Sequence, residues 1–466
     1  LRGDTWATLE ERGRAALALH ESNRWIARRV EDIRLVDTSQ VVRRVTLDID
    51  CSVVRSLLGE AGIASPTTAR IPLALLPKTL LLDLDIRDAA NTALGLVMSE
   101  QDSTAAQAAM LALLKRSGQP VEHFSQDILD NLYRVALEMP SPQDLQQLVP
   151  RGRPPIWRLT PGSSDDQAVW GALFLIPEFV ELVTTFTIGY SPMVDIPLDR
   201  DSYLLKYQHL ERQIDAEDPS WRTRLSLEPY TQVLDIPSIG RCVREHTRFE
   251  VPPGLFLEYM YPRAAPAQPQ ATPQGLALPQ PPQGEQGEAL MQGRVTPERG
   301  VMYTRGYQPQ RQPLVIAANL RPRVSGFLRT SQYTVFLSAV LLGLGAAGQF
   351  WHGRLTQEGT SAEAAVTLLV VVPTVMSAFL ARDDEHELLS YLLRWPRIAV
   401  ASSAACALLA GGALALHVSA WRLGTLWAVA SGLGLAVFVL LRRIAWLSKR
   451  AMQESATFSE ETFTYG

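Results

Sequence analysis

The last third of the chain carries four apolar segments, 333–351, 362–381, 398–417 and 423–441, each close to the length that crosses a bilayer. About 20 residues at 1.5 Å rise per residue span a hydrocarbon layer of about 30 Å, and a helix in a water-soluble core is rarely apolar around its whole circumference. The segments predict a C-terminal four-helix transmembrane bundle over 331–447. A 47% apolar composition averages over two unlike ends, because the first 330 residues lack such runs.

Basic residues flank these segments unevenly. Arg321, Arg323 and Arg329 precede the first, Arg382, Arg394 and Arg397 lie between the second and third, and Arg442, Arg443, Lys449 and Arg450 follow the fourth. The two opposite loops hold only Arg354 and Arg422. Lys and Arg are retained on the cytoplasmic side, so both termini are expected in the cytoplasm and the chain in the plasma (inner) membrane. Arg321, Arg323, Arg329, Arg394, Arg397, Arg442 and Arg443 are the candidate junction and headgroup contacts.

The predicted spans hold almost no ionisable residue, Glu363 and His417 lying at span ends, which argues against ion-coupled transport. Small residues are frequent instead. Gly343, Gly345 and Gly348 in the first span, with Gly411 and Gly412 in the third, are the candidate positions for close helix packing or self-association.

The first 330 residues are expected to form an α+β cytoplasmic region with a β-sandwich-like unit. Residues 5–32 read as an amphipathic helix with Trp6, Leu9, Leu17, Trp25, Ile26 and Val30 on one stripe, giving an N-terminal segment 1–38. A mixed α/β region follows over 39–263. In it, 43–50 and 79–99 read as strands, the latter two strands joined at "RDAAN", and "SEQDSTAAQAAMLALLKRSG" reads as a helix that Gly118 ends. Strand character returns at 179–190, 202–210 and 246–261, the last turning at Pro252, Pro253 and Gly254. Residues 264–293 contain six prolines, seven glutamines and four glycines, so 264–297 is expected to be a disordered insertion. The closing strands at 300–307 and 313–320 and the membrane junction make up 298–330, and 448–466 is a cytoplasmic tail.

No phosphate-binding loop, dinucleotide fingerprint, HExxH or GxSxG occurs, and no cofactor is expected. Cys51, Cys242 and Cys406 are too scattered for a zinc site or a disulfide framework, and a net charge of −4 gives no case for nucleic acid. In "ARDDEHELLSYLLRWPR", the four acids Asp383, Asp384, Glu385 and Glu387 are read as capping the helix rather than, with His386, binding a metal.

"VREHTRFEVPPGLFLE", the "LDIRDAANTALGLV" stretch and the arginine-rich junction resemble a group of actinobacterial multi-pass membrane proteins with a cytoplasmic N-terminal domain. The resemblance implies that architecture and brings no activity or ligand with it. With most of the chain inside the cell and no catalytic signature, the expected function is a membrane-held module that anchors or senses a cytosolic protein partner or assembly. An oligomeric ligand-gated channel or membrane-disrupting effector is the alternative, and a membrane-tethered enzyme the second.

Overall fold

The computed structural model describes residues 6–37, 39–64, 66–73, 76–77, 82–95, 99–137, 164–212, 220–235, 242–264, 290–305, 314–324, 326–352, 386–416, 418–457 and 461–464. Its elements run α1 (Trp6–Glu21), β1 (Ile26–Leu35), β2 (Gln40–Asp50), α2 (Cys51–Glu60), β3 (Thr68–Pro72), β4 (Leu76–Pro77), β5 (Leu82–Asp88), α3 (Ser99–Arg116), α4 (Gln126–Leu137), α5 (Ser164–Leu173), α6 (Pro177–Ile188), β6 (Gly189–Tyr190), β7 (Met193–Pro197), β8 (Ser202–Arg212), α7 (Trp221–Arg224), β9 (Tyr230–Asp235), β10 (Arg244–Glu250), β11 (Leu255–Ala264), β12 (Leu290–Thr296), β13 (Arg299–Arg305), β14 (Leu314–Pro322), α8 (Phe327–His352), α9 (Glu387–Ala415), α10 (Ala420–Thr457) and β15 (Glu461–Thr464). An α+β region with mixed sheets thus precedes three long apolar helices.

The largest sheet has eight strands in the order β15-β12-β13-β10-β1-β2-β8-β5. Only β1 and β10 run parallel in it. The expected N-terminal helix therefore stops early: Ile26–Leu35 is a strand in the middle of this sheet. Its inward positions, Arg29, Glu31, Ile33 and Leu35, alternate with period two, but two of the four are charged, so the apolar pattern of a strand is missing from the sequence. The Trp25 indole donates to Leu19 O at 3.0 Å and turns the chain from α1 into β1.

Residues 177–188 are likewise a helix, not the expected strand. Valine and threonine give them strand composition, yet Pro177 occupies the first turn and Phe179, Leu182, Val183 and Phe186 bury one helical face. That face joins α1, α3, α4 and α5 in a helical unit around Met110, Leu114, Leu132 and Trp170. Helix α3 matches expectation, with Gly118 at φ +81° just beyond its end.

Asp102, in the first turn of α3, has one carboxylate oxygen buried without a partner. Burial pushes its carboxyl up to about 7, against the backbone hydrogen bond from Met193. Its folded value lies above its unfolded value of 3.8, so its contribution is complete below that pH and is lost as pH rises through 7. Asp102→Asn is expected to gain about 1 kcal/mol under mildly alkaline conditions, after allowance for solvent screening, and nothing in acid. Thermal melts at two pH values check this.

A second sheet, β11-β14-β9, shares an apolar cluster with the first, Leu257 and Ile316 lying with Ile33 and Phe249. The turn expected at 252–254 is present and carries the chain from one sheet to the other, so β10 and β11 do not pair with each other. Nor do β13 and β14 pair with each other: β13 joins β10 and β12, and β14 joins β11 and β9. After β5 the chain turns at Asn91, φ +66°, and returns as a single bridge, Arg87 to Ala93, rather than a second strand.

The segment 265–289 of the expected insertion lies outside the described residues. Residues 290–296 are strand β12, so the insertion was drawn too long at its C-terminal end. The expected tail is also ordered differently, since α10 continues to Thr457 and β15 then adds to the sheet edge beside β12.

Three helices are long and apolar enough to cross a membrane: Phe327–Trp351, Glu387–Leu414 and Ala420–Glu454. They correspond to three of the four predicted segments, and the fourth, at 362–381, lies outside the described residues. Helix α8 packs along α10 through Leu342, Ala346, Trp427 and Ala430.

Candidate functional site

No gap separates the sheets from the spans. One apolar cluster contains Ile33 and Phe249 of the first sheet, Leu257 and Ile316 of the second, and Leu328, Leu392, Val437 and Leu441 of the three helices. Strand β14 leads into α8 through a short turn at Gly326, φ +56°. Leu389 of α9 sits against Gly254, φ +82°, where any Cβ would lie 2.4 Å from its Cδ2. Only glycine serves both that backbone and that contact.

Polar contacts hold the same joint. His386 caps α9, its Nδ1 accepting from Leu388 N at 3.2 Å, while its Nε2 lies 3.1 Å from Leu35 O. The N-cap is therefore His386, with Glu387 in the first turn, and the other expected capping acids, Asp383, Asp384 and Glu385, lie outside the described residues. Pro396 stands within α9 and has no N–H, so Leu392 O lacks its helical donor. Ser226 Oγ, held at φ +58°, donates to that oxygen at 2.8 Å. Gln332 Nε2 of α8 donates to Leu441 O of α10 at 3.0 Å.

The candidate arginines divide into two groups. Arg321 is buried and pairs with Glu258 at 2.6 Å, and Arg323 pairs with Glu298 at 2.7 Å and donates to Leu255 O at 2.9 Å. Both guanidiniums thus bind the domain, where the sequence suggested headgroups. Arg329, Arg394, Arg442 and Arg443 are exposed on the helices, and Arg397 stacks 5.3 Å from the Phe327 ring. Exposed Tyr333, Trp395 and Trp446 accompany this group, and Trp351 and Trp421 stand exposed at the far end of the bundle. From Tyr333 to Trp351 the helix rises about 27 Å, close to the thickness of a hydrocarbon layer.

Of the candidate glycines, Gly345 and Gly343 face the chain's own α10. A Cβ at Gly345 would fall 2.1 Å from the Trp427 ring, and one at Gly343 3.0 Å from Ser431 Oγ. Gly411 is buried, whereas Gly348 and Gly412 have open space where a Cβ would stand.

A second cluster escaped the sequence entirely. Across β1, β2, β8 and β10, on the inner face of the large sheet, Glu31 accepts from Arg29 at 2.8 Å and from Arg43 at 2.6 Å. Arg29 also meets Glu245 at 3.5 Å, Arg43 meets Glu211, and His209 Nε2 lies 3.9 Å from Glu211. Glu31 and Glu245 are fully buried. Burial alone would raise the Glu31 carboxyl, but Arg29 and Arg43 hold it below the usual carboxylate range. Burial opposes the charge on Arg29 too, and the carboxylates of Glu31 and Glu245 outweigh it and keep that charge fixed. Burial pushes Tyr207 up to about 12 and raises the Cys242 thiol, so neither supplies an anion at neutral pH.

The belt separates the apolar cluster shared with the spans from another around Trp25, Leu47 and Ile71. Its chemistry is that of fixed ion pairs. A one-residue slip of β1 would turn Arg29 and Glu31 outward, so the belt fixes the register of the central strands. The only sequence signal is a basic and an acidic residue two apart in β1, each facing its opposite on a neighbouring strand. Among the described residues no three His, Cys, Asp or Glu side chains are grouped to hold a metal ion. No protein-family model matches the chain, and neither a curated protein nor a solved structure does.

Proposed function

We propose that the chain is a multi-pass protein of the inner membrane whose α+β region is a cytoplasmic module that anchors or senses a protein partner or assembly. The observation that carries this reading is the single apolar cluster running from Ile33 to Val437, which makes the sheets and the spans one body. A partner bound to such a body is held at a set height and orientation over the bilayer, and strain on the sheet reaches the helices directly.

Helix α8 leaves the sheets and the end of α10 returns to them, with Leu328 and Ile444 in the same cluster. That return calls for an even number of crossings, and with the sequence expectation at 362–381 we propose four. The exposed arginines near the sheets then face the cytoplasm. Half-buried Gly348 and exposed Gly412, each with open space where a Cβ would stand, favour a second reading, a self-assembling channel whose copies meet at these positions.

Cys51 is buried and silent as a topology probe. Ser56→Cys and Ser419→Cys replace it: an impermeant thiol reagent should reach position 419 in intact cells and position 56 only after permeabilisation. The mass of the complex extracted in mild detergent then decides between functions. A second polypeptide that persists when the lipid-embedded parts of the spans are exchanged for unrelated helices supports the anchor. Multiples of this chain alone would sink it.

A further inference from the structure

Helix α7 belongs to the domain, yet Trp221 in it is 67% exposed. Its neighbour Arg222 is also exposed, with the guanidinium 5.9 Å from the Trp221 ring centroid. The segment is not free to wander: Ser226 fastens it to Leu392 of α9, less than one helical turn before exposed Arg394 and Trp395. The indole and two arginines of α7 are thus held within a few residues of a bond to α9, at the turn that precedes its exposed Arg394 and Trp395.

We propose that Trp221, Arg222 and Arg224 form a docking surface for anionic phospholipid headgroups of the leaflet facing the sheets. The inference rests on the membrane reading above and adds a contact made by the domain itself. Three features select this occupant. The surface continues the lipid-facing rim of α9; tryptophan, apolar with one polar edge, suits the interface; and arginine matches phosphate. The exposed Arg222–Glu228 pair at 3.2 Å is weak enough to exchange for a phosphate.

Hydrogen exchange of the full chain in nanodiscs tests the proposal. Amides 221–226 should exchange about tenfold more slowly in phosphatidylglycerol-containing discs than in pure phosphatidylcholine, and high salt should remove the difference. Arg222→Gln with Arg224→Gln should remove it too, while exchange in phosphatidylcholine discs stays at the unmodified level, which shows that the fold survives. Equal exchange in both discs, with α8–α10 protected, overturns the headgroup site and spares the membrane reading. Slowing that appears only on adding cytosolic extract overturns it in favour of a protein partner. If α8–α10 gain no protection from lipid over detergent, both readings fall.

Discussion

Glu31→Gln is expected to destabilise the chain by about 3–5 kcal/mol, since it leaves two buried guanidiniums facing a neutral amide. Against a typical total of about 5–15 kcal/mol, this takes the protein near its unfolding threshold. Thermal melts of the full chain in detergent measure the loss. Folded Glu31 titrates below its unfolded value of 4.5, so its contribution is complete above that value and disappears as pH falls through the folded one. The variant should accordingly lose part of the acid limb of its stability curve. Replacing Arg29, Glu31, Arg43, Glu211 and Glu245 together by Met, Leu, Met, Leu and Leu should be far milder, because the carboxylates that face the two arginines leave with them. If the single change were as mild as this fivefold one, the belt would not be the determinant described.

Gly345→Leu and Gly412→Leu should differ sharply. At Gly345 the new side chain meets the Trp427 ring and threatens the bond that Trp427 Nε1 donates to Ala410 O at 2.9 Å. Overpacking at such a site costs about 1–3 kcal/mol, and loss of the buried hydrogen bond adds about 1 more. The bundle of one chain should loosen, seen as a lower melting temperature at any protein concentration. Gly412 has open space around it, so leucine there should leave the melt unchanged. Cross-linking then reads the second reading directly: association lost in the Gly412 variant alone marks a contact between copies, and unchanged association removes that face from consideration.

What could be read from the sequence follows from how strictly each environment constrains composition. A helix apolar on all sides is written in composition itself, so 333–351, 398–417 and 423–441 were visible as long apolar helices and α3 was visible from its stripe and Gly118. Strand 202–212 was found because its inward residues, Tyr203, Leu205 and Tyr207, remain apolar or aromatic. Residues 26–35 were lost because Arg29 and Glu31 take the inward places. Residues 177–188 were lost because threonine and valine describe a strand's composition while their spacing describes a helix. The junction was legible as adjacency, but not in its chemistry: Arg321 and Arg394 look alike as letters, and only Glu258 across the sheet draws one of them inward. Pairings between residues more than 60 apart leave no local mark.

Strand β15 is made from nearly the last residues of the chain and closes an edge of the sheet that begins at residue 26. During synthesis the sheet therefore stays one strand short until α8, α9 and α10 have all left the ribosome. Until then β12 offers an unsatisfied row of backbone donors and acceptors, which is what chaperones and proteases recognise. If the helices cross a membrane as proposed above, a chain in which they failed to insert could not bring β15 back and would keep that flag raised. On that reading, completion of the sheet is a report that insertion has succeeded.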